Sequence, residues 1–582
     1  MYILAYKDGH DPAACLMKDG EIVAAVEEER FSRVKHAPSQ FPKESIAFCL
    51  RYAGIAQKEV DYVAYARLTP FRTFIAVLSY YLRRPPRTAL EIRYTLANLK
   101  LQVFGTLGQM RGRAGYQRIR ALFPELPKMY VAFNHHLCHA GSTFLFSPFE
   151  GSLIITWDGK GEATSLTVGI GHGAELSIKE RRGIFDSLGL FYSAATKYLG
   201  FTPNDGEYKV MGLAPYGRQG VEMGDLISPN EHDGYRIHSD FVLYPLQGVE
   251  KNFERRFGPA AKRDMPVGEE HQNVAWALQN ALEQVGLSVA KRAQRKYPSK
   301  HLCLAGGVAL NVKLNKVLRE SGLFDAIFVQ PAAGDNGLVL GAAGLLYAYL
   351  TKKRPASLQH LYLGPRYSDD EIAAVLREEK VVFHRSSDIV GATAKLIAEG
   401  NVVAWFQGRM EFGPRALGAR SVLAHPGLPH MRDRINEKIK FREEFRPFCP
   451  SILAEHAGEL LERPARSPYM IFAFDATPAA QKLIPAVVHV DNTVRPQTVE
   501  RDGSRYRALL EAFYKETGVP ALLNTSLNIR GEPIVENPHQ VAEFFRTTNV
   551  DAIVAGDSIA LRTDQDPHMF RAMNRGSLVT EY

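Results

Sequence analysis

The stretch Ser152-Leu153-Ile154-Ile155-Thr156-Trp157-Asp158-Gly159-Lys160-Gly161-Glu162 is an apolar run of strand character that ends in an acid and a glycine. A second strand, predicted over Thr164–Ile170, follows it at once. The same order opens the chain. Tyr2–Tyr6 reads as a strand and Lys7-Asp8-Gly9 as a polar loop. Ala13–Met17 and Ile22–Val26 read as a hairpin, with Asp19-Gly20 as its turn signal. Two strand–Asp-Gly–hairpin units in one chain predict an internally duplicated fold that grips a nucleotide phosphate between two loops.

Ahead of the second unit, Asn134-His135-His136-Leu137-Cys138-His139-Ala140 follows the strand-like run Met129–Phe133. On a helix, His135 and His139 project from one face, and Asp158 ends the neighbouring strand. Two imidazoles and a carboxylate are a three-ligand start on a divalent metal site. The alternative is a pair of capping or core histidines. Cys138 points partly off the ligand face and reads as packing. A helix over Glu269–Tyr297 and a strand over Leu302–Ala305 lead into Gly306-Gly307-Val308-Ala309-Leu310-Asn311. Glycines at such a turn let a ligand approach the backbone and its free N–H groups. The strand Ala326–Val329 and the loop Pro331–Gly337 then introduce a small-residue helix over Leu338–Leu350. Asp335 is an N-cap by type, and also the obvious fourth ligand of the histidine set.

At 582 residues the chain is too long for one core, so two large domains are expected. Its 46% hydrophobic and 23% charged residues are those of a soluble globular protein. No signal peptide is visible, and the apolar run Phe74–Leu82 is too short to span a bilayer. Five scattered cysteines without a CxxC pair fit a reducing cytosol, so a cytoplasmic location is expected. The net charge of +8 is concentrated: from Arg67 to Lys128, twelve cations face only Glu91 and Glu125. That run is either a solvated helical surface, broken at Pro85-Pro86, or a field that attracts an anionic acceptor or an anionic membrane surface. No nucleic-acid reader motif accompanies it, so nucleic acid is not expected as a partner.

Thr351–Leu361 has linker composition. Beyond it, strands are predicted at Val402–Trp405 and Ala552–Ala555, among cations set near glycines. These are Gly413-Pro414-Arg415-Ala416-Leu417-Gly418-Ala419-Arg420, then Lys438, Lys440, Arg442 and Arg446, then Arg495-Pro496-Gln497 and Asn524-Thr525-Ser526-Leu527-Asn528. Guanidinium forks and hydroxyls in tight turns suit di- and triphosphates.

Motifs across both halves resemble the NodU/CmcH family of O-carbamoyltransferases. They are Gly9-His10-Asp11, the run Val26–His36, the His-His-x-x-His-Ala block, Asp158-Gly159-x-Gly161-Glu162, the run Gly206–Gly217, the Gly306–Asn311 turn, Gly334–Gly337, Gly413–Gly418 and Arg495-Pro496-Gln497. The resemblance implies an α/β and α+β protein of two domains. Residues 1–352 would form an actin-like, TsaD-like carbamoyl-transfer domain with a basic helical insertion at about 67–128. Residues 353–365 would be a linker, and 366–582 a YrdC-like α/β domain that makes carbamoyl-adenylate from ATP and carbamoyl phosphate.

By the same resemblance His10 is the proton acceptor, and His135, His139, Asp158 and Asp335 hold Fe²⁺ or another divalent metal. Lys35, Asp158, Gly159, Gly161, Gly306, Gly307 and Asn311 would bind the adenylate. Arg415, Lys440, Arg446, Arg495, Asn524 and Ser526 would bind ATP, with its Mg²⁺, and carbamoyl phosphate. Asp8, Glu207 and Asn336 would touch the acceptor. Two departures stand out: the family's Asp-Ala-Ser reads Asp11-Pro12-Ala13 here, and the segment from Thr69 to Lys128 is longer and more basic than an aminoglycoside-modifying member needs.

The acceptor is expected to be a hydroxylated small molecule or glycan, in natural-product biosynthesis. A homodimer is left open. The rival readings are an ATP-dependent kinase of the actin-like fold and a non-catalytic nucleotide-gated binding protein.

Overall fold

The structure, a computed structural model, describes residues 1–110, 119, 127–242, 249–263 and 265–569. Two compact units emerge: Met1–Glu28 with Ser39–Gln359, and Glu29–Pro38 with the residues from His360 onward.

The first unit contains two five-stranded sheets. β1 (Tyr2–Lys7), β2 (Ala13–Lys18), β3 (Glu21–Glu27), β4 (Tyr62–Tyr65) and β5 (Met129–Ala132) run in the order β3-β2-β1-β4-β5. β6 (Gly151–Gly161), β7 (Thr164–His172) and β8 (Glu175–Gly183) precede a small hairpin, β9 (Ile227–Asn230) and β10 (Gly234–Ile237). With β11 (His301–Ala305) and β12 (Ala326–Val329), the second sheet runs β12-β11-β6-β7-β8. In each sheet the first strand starts an antiparallel meander on one side, and on the other side two parallel strands are added. The two halves therefore share one topology, the duplicated actin-like fold.

Burial follows from that order. β1 is paired on both sides and covered, and reads almost wholly apolar, with all but Tyr2 of its residues buried. Edge strand β8 alternates exposed and half-buried residues along most of its length. The helix Glu269–Lys296 and the small-residue helix Leu338–Thr351 cover this framework. The basic run forms the helices Pro70–Arg83 and Ala89–Met110, separated at Pro85-Pro86 as expected. Arg111, Arg113, Tyr116, Arg118 and Arg120 lie outside the described residues.

The second unit is an α/β body on an eight-stranded mixed sheet. From one edge it runs through His384–Arg385, Ser558–Leu561, Ala552–Ala555, Val403–Phe406, Arg420–Ala424, Ala521–Ser526 and Cys449–Leu453 to Gln497–Val499. One segment departs from the division expected from sequence. Glu29–Pro38 packs with this unit, because Arg30 donates to the Gly413 carbonyl (2.9 Å) and Arg33 to those of Pro533 and Ile534 (2.8 Å each). Among the described residues no helix is long and apolar enough to cross a membrane.

Candidate functional site

In the first unit the sequence builds a cluster of four donor residues from three elements. Asn134 caps the helix His135–Phe144 by accepting from the Leu137 N–H at 3.2 Å, and its amide donates to Glu162 at 2.7 Å. That fixes His135 and His139 on one helical face, as their spacing predicts. Asp158, near the end of β6, gives one oxygen to the Gly307 N–H (3.0 Å) and turns the other toward His135. The Gly306 backbone makes the approach feasible: φ is +93°, and a Cβ there would stand 2.2 Å from the Trp157 carbonyl oxygen. Gly161 is required beside His135, since a Cβ would meet its ring at 2.4 Å.

His135 Nε2 lies 3.3 Å from Asp158 Oδ2 and 3.4 Å from Asp335 Oδ1, and His139 Nε2 lies 3.9 Å from Asp335 Oδ1. The four donor atoms all fall within 4.8 Å of one another. Ligands about 2.1 Å from one ion stand roughly 3–3.5 Å apart, so modest contraction of this set fits a single divalent cation. His135 Nε2 and both His139 ring nitrogens are buried without a hydrogen bond.

Burial, then the neighbouring His135, pushes His139 down to about 4, so its ring is neutral with a lone pair to offer. Burial also works against the charged form of His135, but the Asp335 and Asp158 carboxylates outweigh it and hold its pKa up. Those imidazoles keep Asp158 well below the usual carboxylate range despite its burial. Two imidazoles and two carboxylates suit Fe²⁺, Zn²⁺ or Mn²⁺ alike.

Asp335 is not the N-cap its type suggests. It opens the short turn Asp335–Gly337, makes no capping hydrogen bond, and faces the histidines and Lys7. Lys7 is the residue that sequence reasoning passed over. It is buried, it pairs with Asp335 Oδ2 at 3.1 Å, and it donates to the carbonyls of His10 and of Asp8 (3.4 Å). The available signal was its place at the end of β1, one residue before the first Asp-Gly. Arg67, counted in sequence only as part of the basic run, adds a second cation here. Burial disfavours its charge, but Tyr65, Asp8 and Glu162 more than compensate and raise its pKa.

His10 Nδ1 lies 2.8 Å from Asp11 Oδ2, and Asp11 takes a left-handed φ of +48°. Asp8 accepts from the Tyr65 hydroxyl at 2.6 Å, and Asn336 donates to Glu27 at 2.9 Å. Glu207 accepts from the Ser193 hydroxyl at 2.5 Å. Gly159 lies at the Ser187 hydroxyl, which donates to its carbonyl at 2.6 Å. Asn311 is occupied structurally: it caps the helix Val312–Glu320 and exchanges hydrogen bonds with Gln279.

The second unit gathers most of the predicted cations. Lys440 ends a π-helical turn, is buried, and directs its ammonium to the Ser526 carbonyl and to the carbonyl (2.9 Å) and side-chain oxygen (3.0 Å) of Asn528. Burial, then Arg442, Arg446 and Lys35, pushes its pKa well down. Lys35, which the sequence reading groups with the adenylate loops of the first unit, belongs to this unit, and its charge bears on Lys440.

Arg446 pairs with Glu443 at 3.4 Å, and Arg495 donates to Cys449 Sγ at 3.0 and 2.8 Å. Half-buried Arg415 sits in a loop that Glu411 holds by accepting from the N–H groups of Leu417 (2.7 Å) and Ala419 (2.8 Å). Ser526 donates to Asn528 at 2.6 Å. Asn524 is buried, its Nδ2 donating to Ser451 and Tyr506 at 3.0 and 3.2 Å while its Oδ1 has no hydrogen-bond partner among the described residues.

Residues 3–344 match the family model described as Carbamoyltransferase N-terminus, and residues 394–562 the one described as Carbamoyltransferase C-terminus. Nodulation protein NolNO of Sinorhizobium fredii is 38% identical, over 96% of this chain and 80% of that one. Nodulation protein NolO of Bradyrhizobium diazoefficiens is 40% identical, over 73% and 78%. The Synechocystis protein sll1178 is 39% identical, over 96% of each chain. Solved structures are more remote: HypF of T. kodakarensis is 16% identical, with a TM-score of 0.31 over 60% of this chain and 48% of that one.

Proposed function

This chain belongs to the carbamoyltransferase family, and we propose that it carbamoylates a hydroxyl in two steps, one on each unit. In the second unit, water cleaves carbamoyl phosphate to carbamate and orthophosphate, orthophosphate leaves, and a carbamate oxygen attacks the α-phosphorus of ATP. The bond to the β-phosphate breaks, pyrophosphate leaves, and carbamoyl-adenylate is formed. Arg415, Arg446 and Arg495 neutralise phosphate charge, and Lys440 holds the Ser526–Asn528 turn against which the nucleotide lies. Mg²⁺ accompanies the ATP.

In the first unit an acceptor oxygen attacks the carbamoyl carbon, the bond to the AMP phosphate breaks, and His10 takes the hydroxyl proton. Asp11, beside Nδ1, holds the ring so that Nε2 is the base. Lys7 steadies the His10 loop and brings positive charge to the leaving phosphate. A divalent ion held by His135, His139, Asp158 and Asp335 would supply Lewis acidity toward that phosphate. Asp8, Glu207 and Asn336 are the groups offered to the acceptor, a hydroxylated small molecule or glycan.

The observation that carries this reading is Lys7, which ties the His10 loop and the buried donor cluster into one site. The test is product analysis with ATP and carbamoyl phosphate, where pyrophosphate and AMP are expected. His10→Asn should retain ATP–pyrophosphate exchange and lower transfer by about 10²-fold or more. Arg446→Ala should lose exchange yet transfer from supplied carbamoyl-adenylate. ADP as the product, or loss of both activities in either variant, overturns the two-step assignment.

A further inference from the structure

The helices Pro70–Arg83 and Ala89–Met110 are apolar on the face turned away from the protein as well as on the inner one. Their inner faces bury Val77, Tyr81 and Tyr94 together with polar groups: Glu91 lies against Arg84 through two contacts of 2.9 Å, and Asn98 donates to the Tyr81 hydroxyl at 2.9 Å. Their outer faces carry Phe71, Ile75, Leu82, Ile92, Leu96 and Phe104, with Leu82 75% and Leu96 65% exposed. Eight of the fifteen large apolar side chains that stand exposed among the described residues fall between Phe71 and Phe104. Phe71, Ile75 and Leu82 recur at helical spacing, as do Ile92, Leu96 and Val103, so each helix presents a continuous apolar stripe outward.

The hairpin is firmly seated. Tyr80, Tyr81 and Tyr94 pack on Phe185 with ring centroids 5.8, 5.9 and 6.4 Å apart, and Thr88 donates to Asp240 at 2.7 Å. An apolar patch of this kind on a rigid scaffold marks an interaction surface.

Charge selects the partner. Arg72, Arg83, Arg87, Arg93 and Lys100 stand exposed on or between the same helices, and the one acid from Pro70 to Phe104, Glu91, is buried. A second copy seated face to face would set cation against cation, which disfavours a symmetric dimer. Cations beside protruding Leu, Ile and Phe suit a surface that offers negative headgroups over an apolar layer.

We propose that this hairpin docks the protein on an anionic lipid bilayer, apolar stripes at the acyl boundary and cations on the headgroups. Tyr94 lies on its inner face, where Lys160 of the Asp158–Glu162 turn donates to its hydroxyl at 3.4 Å. Docking would therefore hold the donor cluster near the membrane surface. The proposal does not depend on the two-step chemistry.

The test is sedimentation of the full chain with vesicles of phosphatidylcholine alone or mixed with phosphatidylglycerol. Binding is expected only to the mixed vesicles and should weaken with added salt. Leu82→Ser/Leu96→Ser and, separately, Arg83→Gln/Arg87→Gln/Arg93→Gln should each lower partitioning about tenfold or more. Val382→Ser, at an exposed apolar site elsewhere, should not. All these side chains are exposed, so unchanged thermal melting should accompany each variant.

Wild-type protein left in the supernatant with both vesicles overturns the proposal, as does equal sedimentation of the hairpin variants. Light scattering that shows a dimer split by the leucine substitutions also overturns it, and assigns the face to contact between copies.

Discussion

Both ring nitrogens of His139 are buried without a hydrogen bond, and each unsatisfied group costs about 1–3 kcal/mol. Ligation of a cation through Nε2, the nitrogen that faces Asp335, removes the cost at that atom. His139→Leu should therefore lower bound metal in elemental analysis, and chelation should lower the melting temperature of wild-type protein but not of the variant. Unchanged metal content in the variant would sink the ligand assignment. His135, His139 and Asp158 were legible because helical spacing and a strand end suffice to bring them together. Asp335 was legible as a residue but carried two readings, and only the fold shows that its carboxylate turns inward rather than capping. Lys7 was not legible, since a lysine before a glycine loop ordinarily reads as solvated. Asn311 and Asn524 lie in the predicted turns, and their amide N–H groups are held there by Gln279 and by Ser451 and Tyr506, which spacing cannot reveal.

The turn from β11 to the following helix shows how an element serves the site. Gly306 has a φ of +93° and lies against the Trp157 backbone, a conformation that costs a side-chain-bearing residue about 1–3 kcal/mol before any clash. Gly306→Ala should lower the unfolding free energy of the first unit by about 3 kcal/mol or more, read from denaturant melts. A change below about 1 kcal/mol would show that the turn relaxes freely.

Elements of strong local character were read well. Ala326–Val329 and Ala552–Ala555 form as predicted, and the long helix ends at Lys296 against the expected Tyr297. The Glu29–Pro38 segment escaped the reading because its allegiance is set by arginines reaching carbonyls hundreds of residues away, a tertiary effect that no local pattern encodes.

For the whole molecule, all five cysteines are free and buried, and burial pushes the Cys303 thiol up to about 11. The native protein should leave Ellman's reagent unreacted at neutral pH, and all five thiols should titrate once the chain is unfolded. Rapid reaction of any thiol in native protein would show that a unit opens under those conditions.

The two sheets repeat one strand order, and each puts an Asp-Gly pair beyond its first apolar run, at Asp8 and at Asp158. The two halves differ in what surrounds that acid. A tyrosine phenol occupies Asp8, whereas Asp158 looks onto two imidazoles. One backbone pattern thus holds the same acid in two chemical settings, a phenol-bound carboxylate in one half and an imidazole-facing one in the other.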